Sequence, residues 1–184
     1  MSLVLGIVAA SGGVVNDYAW IATQEVTGAS TSTITFSNIP STYRALELRA
    51  SVRQTTSLIS TPPELYMTFN GDTVDNYSTH AMNSASAFYA NGTSAGSTNN
   101  FRVAYTPNGA APSQTHGSAL IHVAGYSNPL TMTSFRSLYG SPADSRVGQM
   151  TGQWSSTNTV TSISLTCSYS FDVGSVVSLY GYKV

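Results

Sequence analysis

The chain has 184 residues, a formal net charge of −1 and only 8% charged residues, which argues against nucleic acid or an anionic membrane as a partner, because both bind basic surfaces. Hydrophobic residues make up 41% of the chain, so it is too apolar to be disordered, and its length suits one domain rather than two. Serine, threonine, glycine, asparagine and valine are common and lysine, glutamate and leucine are scarce, a composition that predicts strands and turns rather than helices.

The chain opens with an apolar segment, and residues 1–16 are predicted to form an N-terminal arm that precedes a single domain at 17–184. The first charged residue is Asp17, so the basic start of a secretion signal is missing. The apolar run at 3–10 is far shorter than the ~18 residues of a membrane span. Such a run should be covered by a neighbouring subunit, as a docking arm, or by the domain itself, as an edge strand. The candidates for subunit contact here are Leu3, Leu5, Ile7 and Val8.

Alternation of apolar and polar residues, interrupted by turn sequences, predicts about nine strands within the domain. Short strands without a convincing helix favour an antiparallel β-sandwich of jelly-roll type. The predicted strands cover residues 20–26, 32–36, 45–53, 64–70, 117–124, 133–139, 147–154, 160–167 and 176–182.

The strand predicted at 45–53 carries an unusual concentration of charge. Leucine, alanine and valine occupy every second position from Leu46 onward, and charged residues or serine occupy the positions between them, so the charges share the face that points away from the core. Pro40 ends the preceding segment, so Phe36 and Leu46 should lie on different strands. Six of the seven basic residues in the chain are arginine, which favours planar pairing with carboxylates over simple solvation. Further candidates for subunit contact are therefore Glu47, Arg49 and Arg53.

Residues 76–114 form a long stretch rich in serine, asparagine, glycine and alanine, with interspersed aromatic residues. A stretch of this length without strand signals predicts a long loop or hairpin, and such loops are frequently functional. Exposed tyrosines and amides suit contact with neutral glycans or another protein, although the same aromatic residues could fill the core beneath the loop. The candidates for glycan or partner contact are Phe88, Tyr89, Asn91, Tyr105 and, outside this stretch, Tyr126.

No catalytic residue, cofactor or metal site is predicted. The three histidines lack the spacing of metal ligands, and the eight carboxylates show no acid–base pair. Asn70, Asp72 and Asp75 could donate oxygens to calcium, but Asn-Gly-Asp is equally a turn composition, and both interpretations stay open. The single cysteine, Cys167, lies at the same parity as Ile163 and is expected to be a buried thiol.

Four segments, taken in order, resemble a family of small structural proteins of tailed-bacteriophage virions. They are "ITFSNIPSTYRALELRASVR" at 34–53, "LYMTFNGDTVDNYSTHAM" at 65–82, "SFRSLYG" at 134–140 and "VVSLYGYK" at 176–183. The opening "LVLGIVAAS" is also similar. Members are β-sandwich modules of tail fibres or of the capsid exterior, and the family has no catalytic motif that maps onto this chain.

The resemblance implies a non-enzymatic structural subunit, exposed on the exterior of a virion as part of a tail fibre or as a capsid decoration. It also implies a homo-oligomer, expected to be a trimer, that contacts other virion proteins. In such a subunit the loop at 76–114, whose composition suits a neutral glycan or another protein, is expected at the outward end, where a host surface glycan is one candidate partner. The alternative is a carbohydrate-binding module of a secreted or cell-surface protein, since such modules also use the jelly-roll sandwich. The arm and the charged strand face favour the virion subunit, because a soluble lectin needs neither.

Overall fold

The computed structural model describes residues 18–56, 62–84, 88–92, 96 and 98–183; the predicted arm at 1–16, with its four contact candidates, lies outside them. Within these ranges the chain forms twelve strands and one short 3₁₀ turn at Pro142–Asp144. The strands are β1 (Tyr18–Glu25), β2 (Thr31–Phe36), β3 (Ala45–Val52), β4 (Glu64–Phe69), β5 (Tyr77–Ser84), β6 (Phe88–Gly92), β7 (Phe101–Tyr105), β8 (Gly117–Ala124), β9 (Ser134–Ser141), β10 (Arg146–Trp154), β11 (Ile163–Phe171) and β12 (Val176–Tyr182).

The strands form two antiparallel sheets that pack face to face. The large sheet has the order β1-β12-β3-β8-β9-β10-β5-β6, and the small sheet has the order β2-β11-β4-β7. This arrangement confirms the prediction of an all-β antiparallel sandwich. Its strand order is compatible with a jelly roll, and that finer assignment stays a prediction.

The core fills the space between the sheets, because alternate residues of each strand point inward. In β3, Leu46 and Leu48 are fully buried, and Leu65 and Met67 of β4 are fully buried in the same core cluster. One end of the core is aromatic, with ring centroids of neighbouring pairs 4.5 to 5.6 Å apart, a spacing typical of edge-to-face aromatic contacts. The aromatic residues of this cluster are Phe69, Tyr77, Phe101, Phe135 and Trp154.

All the predicted strands are present, and Phe36 and Leu46 lie not only on different strands but in different sheets. Three further strands, β5, β6 and β7, lie within the stretch at 76–114 for which the sequence predicts a loop or hairpin. β5 and β6 form a hairpin at the edge of the large sheet, and β7 joins the small sheet. Cys167, expected to be buried, is half-buried in β11, and burial raises the pKa of its thiol to about 11.

Arg53 is buried and fastens the loop between β7 and β8. Its guanidinium donates hydrogen bonds to the carbonyl oxygens of Gly109 at 3.0 Å, Ala111 at 3.0 Å and Pro112 at 2.6 Å. Its Nε lies 3.3 Å from a carboxylate oxygen of Asp172. The prediction that Arg53 faces a neighbouring subunit is therefore wrong. The alternation fails at this position because β3 ends at Val52.

We expect Arg53→Lys to lower the free energy of unfolding by about 1 to 3 kcal/mol, because an ammonium cannot bind several carbonyls with the fixed fork of a guanidinium. Urea denaturation of both proteins measures the difference. The matched control is Arg44→Lys, since Arg44 is exposed and should change stability by less than about 0.5 kcal/mol. Equal losses in the two variants would contradict an anchoring role for Arg53.

Candidate functional site: the outer face of the large sheet

The face of the large sheet that points away from the core is the candidate functional site. Strand register aligns its side chains into rows that cross the sheet, because residues paired across antiparallel strands project to the same side. The first row contains Trp20, Tyr180, Glu47, His122, Arg136, Thr151 and His80. The second row contains Ser178, Arg49, Leu120, Leu138, Gln149 and Met82.

A tyrosine cluster, consisting of Tyr18, Tyr180, Tyr182, Glu47 and Arg49, occupies one end of this face. The Tyr18 hydroxyl donates a hydrogen bond of 2.7 Å to Glu47 Oε1, and the Tyr182 hydroxyl donates to Oε2. Arg49 Nε donates to Oε1 at 2.9 Å. The Arg49 guanidinium lies 4.8 Å from the ring centroid of Tyr180 and 5.2 Å from that of Tyr18, within the range of a cation–π contact. The cluster therefore links β1, β12 and β3 through side chains as well as through the backbone.

The electrostatics of the cluster keep Glu47 ionised. Burial alone would raise the pKa of this carboxyl group, but hydrogen bonds from Tyr182, Tyr18 and Arg49 outweigh burial and lower its pKa. Burial and the bond to Glu47 raise the pKa of the Tyr18 hydroxyl, which therefore stays protonated and donates. Each group is thus held in the protonation state that the hydrogen bonds require.

The alternation in β3 predicted the faces of Glu47 and Arg49 but not their exposure. The Arg49 side chain is 55% exposed, whereas that of Glu47 is only 7% exposed. Tyr18 and Tyr182 hydrogen-bond to Glu47 from two other strands and occupy its oxygens. The prediction that Glu47 contacts a neighbouring subunit is therefore wrong, whereas Arg49 is accessible.

Beside the cluster lies a surface of low charge that we call the docking surface. Trp20 is 64% exposed, and Leu120 and Leu138 are 42% and 58% exposed. Leu120 lies opposite Arg49 on one side and opposite Leu138 on the other, so the apolar positions are contiguous. Exposed aromatic residues, arginine and leucine in one patch are typical of protein interfaces. The docking surface consists of Trp20, Tyr180, Arg49, Leu120 and Leu138.

The opposite part of the face, across β9, β10, β5 and β6, contains a cleft of about 570 Å³ that we call the polar cleft. The position of the His80 ring in the cleft depends on Gly92 of β6, which lies opposite His80 of β5. A Cβ atom at Gly92 would approach His80 Nδ1 to 2.0 Å, so only glycine leaves room for the imidazole at this position. Its polar lining residues are His80, Asn91, Arg136, Gln149 and Thr151, and its apolar lining residues are Ala81, Met82, Ala90 and Met150.

Of the residues predicted to contact a glycan or a partner, Tyr126 is fully buried. Its hydroxyl donates a hydrogen bond of 2.6 Å to the Pro40 carbonyl and accepts one of 3.1 Å from the Tyr43 amide. Tyr126 therefore holds the turn between β2 and β3 from the buried side through these two bonds. The prediction that it contacts a glycan or partner at the surface is wrong.

The other predicted contact residues do not lie together. Tyr105 is half-buried, with the guanidinium carbons of Arg102 and Arg146 5.3 and 4.8 Å from its ring centroid. Its ring is thus engaged by two cations. Asn91 is exposed and lines the polar cleft. The side chains of Phe88 and Tyr89 lie outside the described part of the chain.

The turn after β4 uses its polar residues for internal hydrogen bonds. The Asp72 carboxylate accepts bonds from Trp154 Nε1 at 2.8 Å, Asn76 Nδ2 at 2.8 Å and the Val74 amide at 3.1 Å. Asn70 Oδ1 accepts a bond of 2.8 Å from the Thr161 amide. Among the described residues, no three histidine, cysteine or acidic side chains converge as metal ligands. These bonds account for Asn-Gly-Asp as a turn.

Apart from Arg49 and Asn91, the sequence did not single out the residues of the docking surface and the polar cleft, although a weak signal exists. Leu120 lies on the same face of β8 as the polar residues Ser118 and His122, and Leu138 lies on the same face of β9 as Arg136. A leucine at a position that the alternation assigns to the polar face indicates an exposed apolar side chain. Which strands bring such positions together depends on register, and a single strand does not specify it.

No protein-family model matches the chain, and neither a curated protein nor a solved structure shows significant similarity to it. Within the described ranges no helix has the length and apolar character needed to cross a membrane. The outer face of the large sheet and the resemblance of the quoted segments are therefore the two features that indicate a function.

We expect Glu47→Gln to lower the free energy of unfolding at pH 7 by about 1 to 3 kcal/mol, because the charge-assisted hydrogen bonds of the cluster are lost. The pKa of Glu47 is lowered from 4.5 in the folded protein, so its contribution is full above that value and is lost as the pH falls through the folded pKa. The urea midpoints of the two proteins should therefore differ at pH 7 and approach one another as the pH is lowered below 4.5 and through the folded pKa. The control is Glu25→Gln, an exposed carboxylate; a stability gap for Glu47→Gln that is independent of pH would contradict the assignment.

Proposed function

We propose that the protein is a non-enzymatic structural subunit on the exterior of a tailed-phage virion. The resemblance of four ordered segments supports this location. These segments contribute to β2 and β3, to β4 and β5, and to β9 and β12, so they belong to both sheets. The resemblance therefore concerns the framework of the sandwich rather than one surface motif.

The observation that carries the proposal is the docking surface. Exposed apolar area costs about 25 cal/mol per Å² relative to burial. The adjacent side chains of Leu120 and Leu138, together with exposed Trp20 beyond Tyr180 and Arg49, therefore favour a partner. We propose a second copy of the chain as that partner, in a homo-oligomer of three subunits. Two copies of a chain with a net charge of −1 repel one another little. Arg49 contributes a flat guanidinium whose charge Glu47 balances.

The state of the carboxylates supports a non-enzymatic role. Glu64 binds Tyr66 and Arg102, Asp144 binds Ser141, and Asp172 binds Arg53. Glu47 and Asp72 hold the bonds described above. Five of the seven described carboxylates thus serve the fold, and no two of these five bind the same partner. An acid–base pair for glycan cleavage needs two carboxyl groups at one site.

We expect Leu138→Arg to dissociate the oligomer, because each copy would introduce an unpaired charge into the docking surface. Light scattering after size-exclusion chromatography measures the mass. The matched control is Leu130→Arg, since Leu130 is an 88% exposed leucine on the loop between β8 and β9 and should leave the oligomer intact. Melting temperatures of both variants should stay close to that of the unsubstituted protein. An oligomer that survives Leu138→Arg, or a monomeric starting protein, would contradict the proposed interface.

We expect antibodies against the folded protein to label the surface of intact particles of the phage that encodes it. Immunogold electron microscopy measures the labelling and distinguishes the tail from the capsid. Particles assembled without this chain are the control and should bind no gold. A protein that is absent from purified particles would overturn the virion role.

The second candidate, a carbohydrate-binding module of a secreted or cell-surface protein, is favoured by the polar cleft. A module of this kind would be a monomer in solution, would bind sugar through the cleft and would be absent from particles. The oligomer and particle measurements above therefore separate the two functions.

A further inference from the structure

We infer that the polar cleft binds an acidic saccharide, a sugar residue that carries a carboxylate, with Arg136 as the ionic anchor. This inference goes beyond the proposed function. It concerns a property of the isolated chain and does not depend on where the protein is located.

Arg136 is the positively charged residue of the polar cleft. It is exposed on β9, between His122 of β8 and Thr151 of β10. Among the described residues, the ion pairs involve Arg49, Arg53 and Arg102, and Arg136 has no ion pair or hydrogen bond. No carboxylate of the described residues lines the polar cleft. A guanidinium in this state offers a planar fork of donors that matches a carboxylate.

The effect of this charge is visible on the neighbouring histidine. Burial, and then the charge of Arg136, lower the pKa of His122, although Glu47 acts in the opposite direction. His122 is therefore biased towards its neutral form, and the positive charge in this part of the row is concentrated on Arg136. One cation matches the single negative charge of a carboxylate better than the double charge of a phosphate.

The other residues of the cleft suit the hydroxyl groups and the ring of a sugar. Gln149 and His80 present polar groups that can donate or accept hydrogen bonds. Met82 adds an apolar surface against which the C–H face of a sugar can pack. A simple anion would use only Arg136, whereas an acidic sugar would use the whole lining.

The size and position of the cleft also fit. A volume of about 570 Å³ lies within the range of small-molecule sites and suits one or two sugar residues. The docking surface extends from β1 to β9, whereas the polar cleft extends from β9 to β6. The two regions meet at β9 and β10, where Leu138 of the docking surface lies opposite Gln149 of the polar cleft.

The test uses the full chain and titrates it with glucuronic acid, galacturonic acid and neutral methyl glucoside, with calorimetry and saturation-transfer NMR as readouts. We expect both uronic acids to bind and the neutral sugar to bind more weakly. Arg136→Gln should weaken the affinity for the acids by about 10- to 100-fold, the range for loss of hydrogen bonds from a charged group. Arg44→Gln, which removes the same charge from an exposed arginine outside the cleft, should change nothing.

A second variant separates a saccharide site from a simple anion site. Gln149→Ala should weaken the binding of uronic acids but not the binding of acetate, because only the sugar has hydroxyl groups for the amide to bind. Acetate that binds as tightly as the uronic acids would overturn the saccharide assignment. An equal loss of affinity in Arg136→Gln and Arg44→Gln would show that only net charge matters and would overturn the site. Absence of binding of either uronic acid at millimolar concentration would also overturn it. None of these outcomes affects the particle and oligomer measurements.

Discussion

The outer face of the large sheet depends on one buried carboxylate. Glu47 lies on β3, and the hydroxyl of Tyr18 reaches it from β1 across the intervening strand β12. In the described part of the chain β1 pairs only with β12, so this bond ties the edge strand to the third strand of the sheet. An edge strand held on one side is prone to fray. The position of Trp20, and with it one end of the docking surface, therefore follows from the ionised state of Glu47.

The framework of the fold could be predicted because most strands separate their faces by polarity. From Leu46 onward β3 alternates apolar and polar residues, and β8 and β12 alternate buried and more exposed positions. β5 does not separate its faces by polarity, since its inward positions include Thr79 and Asn83 while Met82 points outward. In β7, the register against β4 shifts by one residue, and Val103 and Ala104 are both buried. A bulge of this kind destroys the period of two on which strand prediction rests.

The candidate site could be predicted only in part, because it is made by register and by contacts distant in sequence. The alternation of β3 fixes the face of Glu47 and Arg49, but the tyrosines that cover Glu47 are 29 and 135 residues away. Tyr126 was an attractive surface candidate, yet its hydroxyl bonds the Pro40 carbonyl, 86 residues distant. The sequence of a loop shows that an aromatic residue is present, but it does not show whether the ring points into the core or out to solvent.

Scarcity of charge makes the remaining free charge informative. Only 8% of the residues are charged, and four of the six arginines have partners within the chain. Glu47 pairs with Arg49, loop carbonyls with Arg53, Glu64 with Arg102, and the ring of Tyr105 with Arg146. Arg136 stands instead in a concave surface among amides, hydroxyl groups and imidazole. A solvated charge costs little, but a charge placed in a cleft without a carboxylate favours an anionic ligand over a neutral one. The outer face of the large sheet thus carries the docking surface, whose residues are typical of an interface, and the polar cleft, whose residues are typical of a ligand site. Both fit on one small domain because the sheet has eight strands.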